Sequence, residues 1–199
     1  MSCQELIMNK MQSAPYGTGF TASDFTDFAD PGTVGKSLER LAAAGKIRRV
    51  LRGVYDLPQY SQLLQEYEAP SPYKIAQALA RNYHWTIIPS GQIVLNQLGL
   101  STQVPATWTF ISDGPYKSYQ LGNITLTFKH STIRNISGMS YKSAMVVRAL
   151  KELGQKYVHD NVIDKLQKLL TSEEKSQLYK ESQQATAWMR PIIKKICEC

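Results

Sequence analysis

The chain has 199 residues, 43% of them hydrophobic, and 23 Lys and Arg against 16 Asp and Glu give a formal charge of +7. That apolar share can fill a core in one large domain or two small ones, so disorder is not the default, and a pI near 9.3 favours an anionic partner such as nucleic acid. The three cysteines, Cys3, Cys197 and Cys199, stand at the ends and exclude a disulfide framework; without a signal-peptide pattern in MSCQELIMNK or a run of about eighteen apolar residues, a cytoplasmic setting with no membrane contact is expected.

Residues 4 to 12 carry Leu6, Ile7 and Met11 at helical spacing, and Pro15, Gly17 and Gly19 then break the pattern. A short second helix is expected where Thr21 or Ser23 can cap a turn holding Phe25 and Phe28. Asp30-Pro31 is a strong start signal for a third helix that runs to Gly45. Its residues Val34, Leu38 and Leu41 fall on one face, while Thr33, Lys36, Ser37 and Arg40 are assigned to the other. IRRVL and VYDL follow, joined through Arg52-Gly53 as in a tight β-hairpin whose turn requires a positive φ. Three helices and a hairpin are the element order of a winged helix-turn-helix. SQLLQEYEAPSP reads as a connection, so the boundary is placed near residue 60.

Ser71-Pro72 opens YKIAQALARNYHW, a helix with an apolar stripe at Ile75, Leu79 and Tyr83. TIIP reads as a buried strand, and Ser90 as the cap of a short helix that continues through Leu98 and stops at Gly99. WTFIS, KSYQL and NITLTFKH read as strands of a small sheet, with turns at Asp113-Gly114-Pro115 and Gly122-Asn123. From about Tyr141 the pattern is helical again. Helices are expected around Val146 to Leu153 and Val162 to Leu170, and a third begins at Thr171-Ser172-Glu173-Glu174. Pro191 is expected to kink or end it, which leaves IIKKICEC as a tail.

The fold expected is α+β: a winged helix-turn-helix over 1–60, then an α/β domain over 61–199 with a small sheet packed by helices. Between Lys36 and Arg52 the cations Lys36, Arg40, Lys46, Arg48, Arg49 and Arg52 face one acid, Glu39. Segregation of this kind suits docking on a phosphate backbone, where each neutralised phosphate releases counterions. The expected DNA-contacting set is Thr33, Lys36, Ser37 and Arg40 toward base edges, with Lys46, Arg48, Arg49 and Arg52 toward phosphates. A solvated basic face on a domain used for protein contact is the other reading of the same residues.

Beyond residue 60 sixteen cations meet ten acids. Lys117, Lys129, Arg134, Lys142, Arg148 and Lys151 form a candidate basic surface, although Arg148 could equally pair with Glu152 one turn on. Trp108, Phe110, Tyr116, Tyr119 and Phe128 alternate with Lys117 and Lys129, a composition compatible with stacking on single strands but also with a core face. His84, His130 and His159 show no ligand spacing, and Cys197 and Cys199 make a weak pair, so neither a metal nor a cofactor is expected. Ser90 lacks a nucleophile elbow and Ile88-Pro89-Ser90-Gly91 lacks a phosphate-loop pattern, so no catalysis is expected.

Three stretches in this order, PGTVGKSLERLAAAGKIRRVLRGVYDLP, IIPSGQIVLNQLGLSTQVPATWTFISDGP, and GNITLTFKHS followed by ALKELG, resemble the AbiEi-type antitoxins of bacterial type IV toxin-antitoxin systems. The likeness runs to about residue 170. It implies a winged-helix domain that represses its own operon by binding double-stranded operator DNA, and a C-terminal domain that counters a nucleotidyltransferase-like toxin indirectly. By position in the first stretch, Thr33, Lys36, Ser37, Arg40, Arg48, Arg49 and Arg52 carry over as DNA contacts. Two other classes stay open: a transcriptional regulator with a ligand-sensing C-terminal domain, and a nucleic-acid-modifying enzyme. The oligomeric state is left open as well.

Overall fold

The computed structural model describes residues 2–131 and 138–198, and within them the chain is α+β, built as two compact units. The first unit comprises Met1–Trp85 with Tyr119–Leu126, and the second Thr86–Ser118 with Thr127–Cys199. The boundary expected near residue 60 therefore falls after Trp85.

In the first unit, α1 (Cys3–Ser13) is started by a capping box between Ser2 and Glu5. A short strand β1 (Gly19–Phe20) and a single 3₁₀ turn (Ala22–Phe25) follow, where a helix was expected. Helix α2 (Pro31–Ala43) begins where Asp30 accepts hydrogen bonds from the backbone N–H groups of Gly32 and Thr33, both at 3.0 Å. Strands β2 (Arg48–Leu51) and β3 (Val54–Asp56) make the hairpin, and Gly53 takes the turn at φ +75°. The sheet order is β1-β3-β2, all antiparallel. Ile7, Met11, Phe20, Phe25, Val34, Leu38, Leu41, Ile47 and Tyr55 form the core beneath it.

The expected connection after Pro58 contains a small hairpin, β4 (Tyr60–Ser61) with β5 (Glu66–Tyr67). Helix α3 (Pro72–Tyr83) then returns to the first unit. A Cβ on Gly19 would lie 2.8 Å from Ile75 Cδ1 and 3.1 Å from Ala78 Cβ, so the bare glycine lets α3 settle directly on β1. Arg81 locks the same contact, donating from Nη2 to the Gly19 carbonyl at 2.8 Å and from Nε to Asp24 at 3.0 Å. Ile75, Ala76, Ala78 and Leu79 are buried, and Ile75 and Ala78 lie over Gly19 of the preceding strand β1.

Strands β6 (Ile87–Ser90) and β7 (Thr107–Ser112) of the second unit belong to a four-stranded sheet of order β6-β7-β9-β8, with β8 (Lys117–Leu121) and β9 (Ile124–His130). The tip of the β8–β9 hairpin groups with the first unit. Phe110 and Phe128 are fully buried and stacked at 5.6 Å, so these aromatics are core. Helix α4 (Gln92–Gln97) follows Gly91, and α5 (Tyr141–Leu153), α6 (Asp160–Leu169), α7 (Ser172–Glu181) and α8 (Met189–Cys197) complete the unit. Their core includes Ile88, Val94, Val146, Leu150, Leu166, Leu178, Ile193 and Ile196. Pro191 does not end a helix as expected. It stands in the first turn of α8, where a missing N–H costs nothing, and the supposed tail is helical. Among the described residues no helix is long and apolar enough to cross a membrane.

Candidate nucleic-acid interface

Helix α2 exposes Thr33, Lys36, Glu39 and Arg40. Its opposite face is set by Val34, Leu38 and Leu41, all buried, and Ser37 lies among them at 5% exposure. Ser37 is therefore withdrawn from the base-reading set: one position on from Lys36 turns it toward the apolar side. Thr33 is exposed, but its hydroxyl and N–H are both taken by Asp30, and these bonds with that of the Gly32 N–H hold the Asp30 carboxyl below the usual range.

In the hairpin the four cations separate. Arg49 and Arg52 are exposed, as is Lys46 just before it. Arg48 stands opposite Asp56 in the sheet register and grips it with two bonds, Nε to Oδ1 at 2.9 Å and Nη2 to Oδ2 at 2.6 Å. Its Nη1 donates to the Glu68 carbonyl at 2.9 Å, and the Glu68 carboxylate accepts from the Tyr16 hydroxyl at 2.6 Å. Desolvation and then this hydrogen bond push Tyr16 up to about 12. Asp56 is 1% exposed, so Arg48 neutralises a carboxylate that the fold has buried, and its donors are engaged within the fold.

A division among the charges results. Asp24 is paired with Arg81, Asp56 with Arg48, Asp30 with the start of α2, and Glu5 with the start of α1. Lys36, Arg40, Lys46, Arg49 and Arg52 are all exposed, and none of them joins a salt bridge among the described residues. The acids of this unit mostly hold the fold, whereas these five cations stand exposed on the α2–hairpin segment.

In the second unit the candidate basic residues differ in exposure. Lys117, Lys129 and Lys151 are exposed, Lys142 is half-buried, and Arg134 lies outside the described residues. Arg148 pairs with Glu152 at 2.5 Å and donates to the Ser90 hydroxyl at 2.8 Å, while that hydroxyl donates to Glu152 at 3.0 Å. Ser90 is the last residue of β6 rather than the cap of α4, whose N-cap is Gly91 at φ +63°. Burial opposes ionisation of Glu152, but Arg148, the Gly91 N–H and the Ser90 hydroxyl outweigh it and hold the carboxyl below its usual range. This partly buried trio ties the end of β6 to α5. The i,i+4 pairing that made Arg148 doubtful as a surface residue was visible in the sequence; its third member, 58 residues away, was not. Among the described residues no group of three or more His, Cys, Asp and Glu side chains could hold a metal ion.

No curated protein matches the chain. Among solved structures, the crystal structure of RV2827C protein from Mycobacterium tuberculosis is similar with a TM-score of 0.44 and 11% identity, over 98% of this chain and 76% of that one. A protein-family model described as a family of unknown function, DUF6088, matches residues 6–178, and the chain belongs to that family.

Proposed function

We propose that the first unit is a winged helix-turn-helix that binds duplex DNA, with α2 in the major groove and the β2–β3 hairpin as a short wing. The observation that carries this reading is the division of charge: five exposed cations on α2, the following turn and the hairpin take part in no described ion pair, while Asp24 and Asp56 are paired and Asp30 caps α2. The order α1, β1, 3₁₀ turn, α2, β2, β3 and the sheet order β1-β3-β2 are compatible with that fold. The test is a duplex titration at several salt concentrations with Arg49→Ala combined with Arg52→Ala. Loss of two phosphate contacts weakens binding and makes the slope of log K against log salt shallower by about 1.8. An unchanged affinity and slope sinks the reading.

The sequence resemblance extends the proposal to function in the cell: an antitoxin that represses its own operon and counteracts a nucleotidyltransferase-like toxin, in the cytoplasm and without catalysis of its own. Co-expression with the product of an adjacent nucleotidyltransferase-like reading frame tests it. Growth restored by this chain is the expected result, and persistent toxicity with folded protein present removes the antitoxin role.

A further inference from the structure

The exposed face of α2 contains one residue that DNA binding alone does not explain. Glu39 is exposed beside Lys36 at i+3 and next to Arg40, and it is the one acid between Lys36 and Arg52. It is not a cap, because Asp30 starts this helix, and it lies beyond the first turn, where the helix dipole would favour an acid. It joins no salt bridge among the described residues. Facing a polyanion, a carboxylate in this position lowers affinity for every duplex alike.

Base edges offer it one good partner. In the major groove a carboxylate can only accept, and cytosine presents its N4 amine as a donor without the adjacent N7 acceptor that adenine carries. Lys36 and Arg40 can only donate, and guanine presents O6 and N7 as two acceptors. From Lys36 to Arg40 the helix rises about 6 Å, roughly two base-pair steps of about 3.4 Å, so the three side chains reach consecutive base pairs. Resting on the DNA-binding reading above, we infer that Glu39 is a specificity-determining residue that accepts from a cytosine amine, inside a short G/C-containing site whose guanines are met by Lys36 and Arg40.

The test uses the full chain and its Glu39→Ala and Glu39→Gln variants, each first matched to the parent in melting temperature. Selection from a randomised duplex library is followed by titration of the winning site, of that site changed at single base pairs, and of a scrambled duplex. For the parent, changing one C·G pair costs about tenfold or more in affinity. Glu39→Ala brings that ratio close to one at that pair alone while binding the scrambled duplex more tightly than the parent does. Glu39→Gln moves the preference there from cytosine to adenine, whose N6 and N7 suit an amide. An identical selected site for the parent and both variants overturns the inference while the parent's salt-dependent binding still upholds the DNA reading. Absence of salt-dependent duplex binding by the parent removes that reading, and this inference with it.

Discussion

Arg48 and Asp56 face each other across the β2–β3 hairpin and share two hydrogen bonds, at 2.9 Å and 2.6 Å, with the arginine side chain 29% exposed and the aspartate side chain 2%. Removing the guanidinium leaves a buried carboxylate without its counter-charge, a change that costs about 3 kcal/mol. Arg48→Ala is therefore expected to lower the free energy of unfolding by that amount and the urea midpoint with it, whereas Arg49→Ala, made at an exposed neighbour, leaves the free energy of unfolding within about 0.5 kcal/mol. Equal midpoints for the two variants in urea unfolding would show that the pair is dispensable and return Arg48 to the set of possible phosphate contacts.

The partner of Asp56 was not legible before the fold was known. A regular hairpin turning at Arg52-Gly53 sets 49 against 56, and it is the register shift between Arg49 and Leu51 that brings Arg48 there instead. Opposite charges directly across a strand pair are stabilising, but no local pattern marks the bulge that makes this one. Ser37 was missed for a different reason: polarity placed it outside, whereas its angle on α2, between Val34 and Leu41, places it inside. Helix α2, its Asp30 cap and the Gly53 turn were all readable, because each depends on a few adjacent residues. β1, with two residues, has no period to detect, and the placement of α3 depends on contacts between Gly19 and Ile75 that no local pattern encodes.

The burial of Ser37 separates it from the DNA-facing set. Ser37→Ala is expected to leave duplex affinity within about twofold, and to hold or raise stability, since alanine is the better helix former by about 0.5 kcal/mol. Lys36→Ala, one residue earlier and exposed, is expected to weaken duplex binding severalfold at unchanged stability. A side-by-side titration decides, and a larger loss from Ser37→Ala than from Lys36→Ala would reverse the assignment of faces on α2.

Gly19 tests where the first unit ends. An alanine there puts its Cβ 2.8 Å from Ile75 Cδ1 and within 3.3 Å of the Lys74 carbonyl, which is backbone and cannot swing aside. Gly19→Ala is expected to destabilise the full chain by about 1–3 kcal/mol through overpacking. Native-state hydrogen exchange should show the loss of protection shared by α3 and the β1–β3 pair. Weakened protection in only one of the two would mean that α3 is not packed as part of this unit.

Glu152 gives the second unit a pH signature whose sign is fixed by its surroundings. Its carboxyl is desolvated, yet Arg148, the Gly91 N–H and the Ser90 hydroxyl hold it below the usual carboxylate range in the folded chain. A depressed folded value means that the unfolded chain takes up the proton first. The stabilisation is complete above the unfolded value of about 4.5 and is lost as pH falls through the lower folded one. Glu152→Gln removes the charge but keeps an amide oxygen for Ser90, so it should lower stability at pH 7 and flatten its decline below about pH 4.5 relative to the parent. Glu181, held low although burial opposes it by bonds from Ser143, Gln177 and Ser140, titrates in the same direction and remains in both proteins, so the difference between the two curves isolates Glu152. Denaturant midpoints measured from pH 7 down to pH 3 provide that difference; parallel curves would mean that Glu152 is not stabilised as the ion in the folded chain, and the Ser90–Arg148–Glu152 tie between β6 and α5 would lose its electrostatic basis.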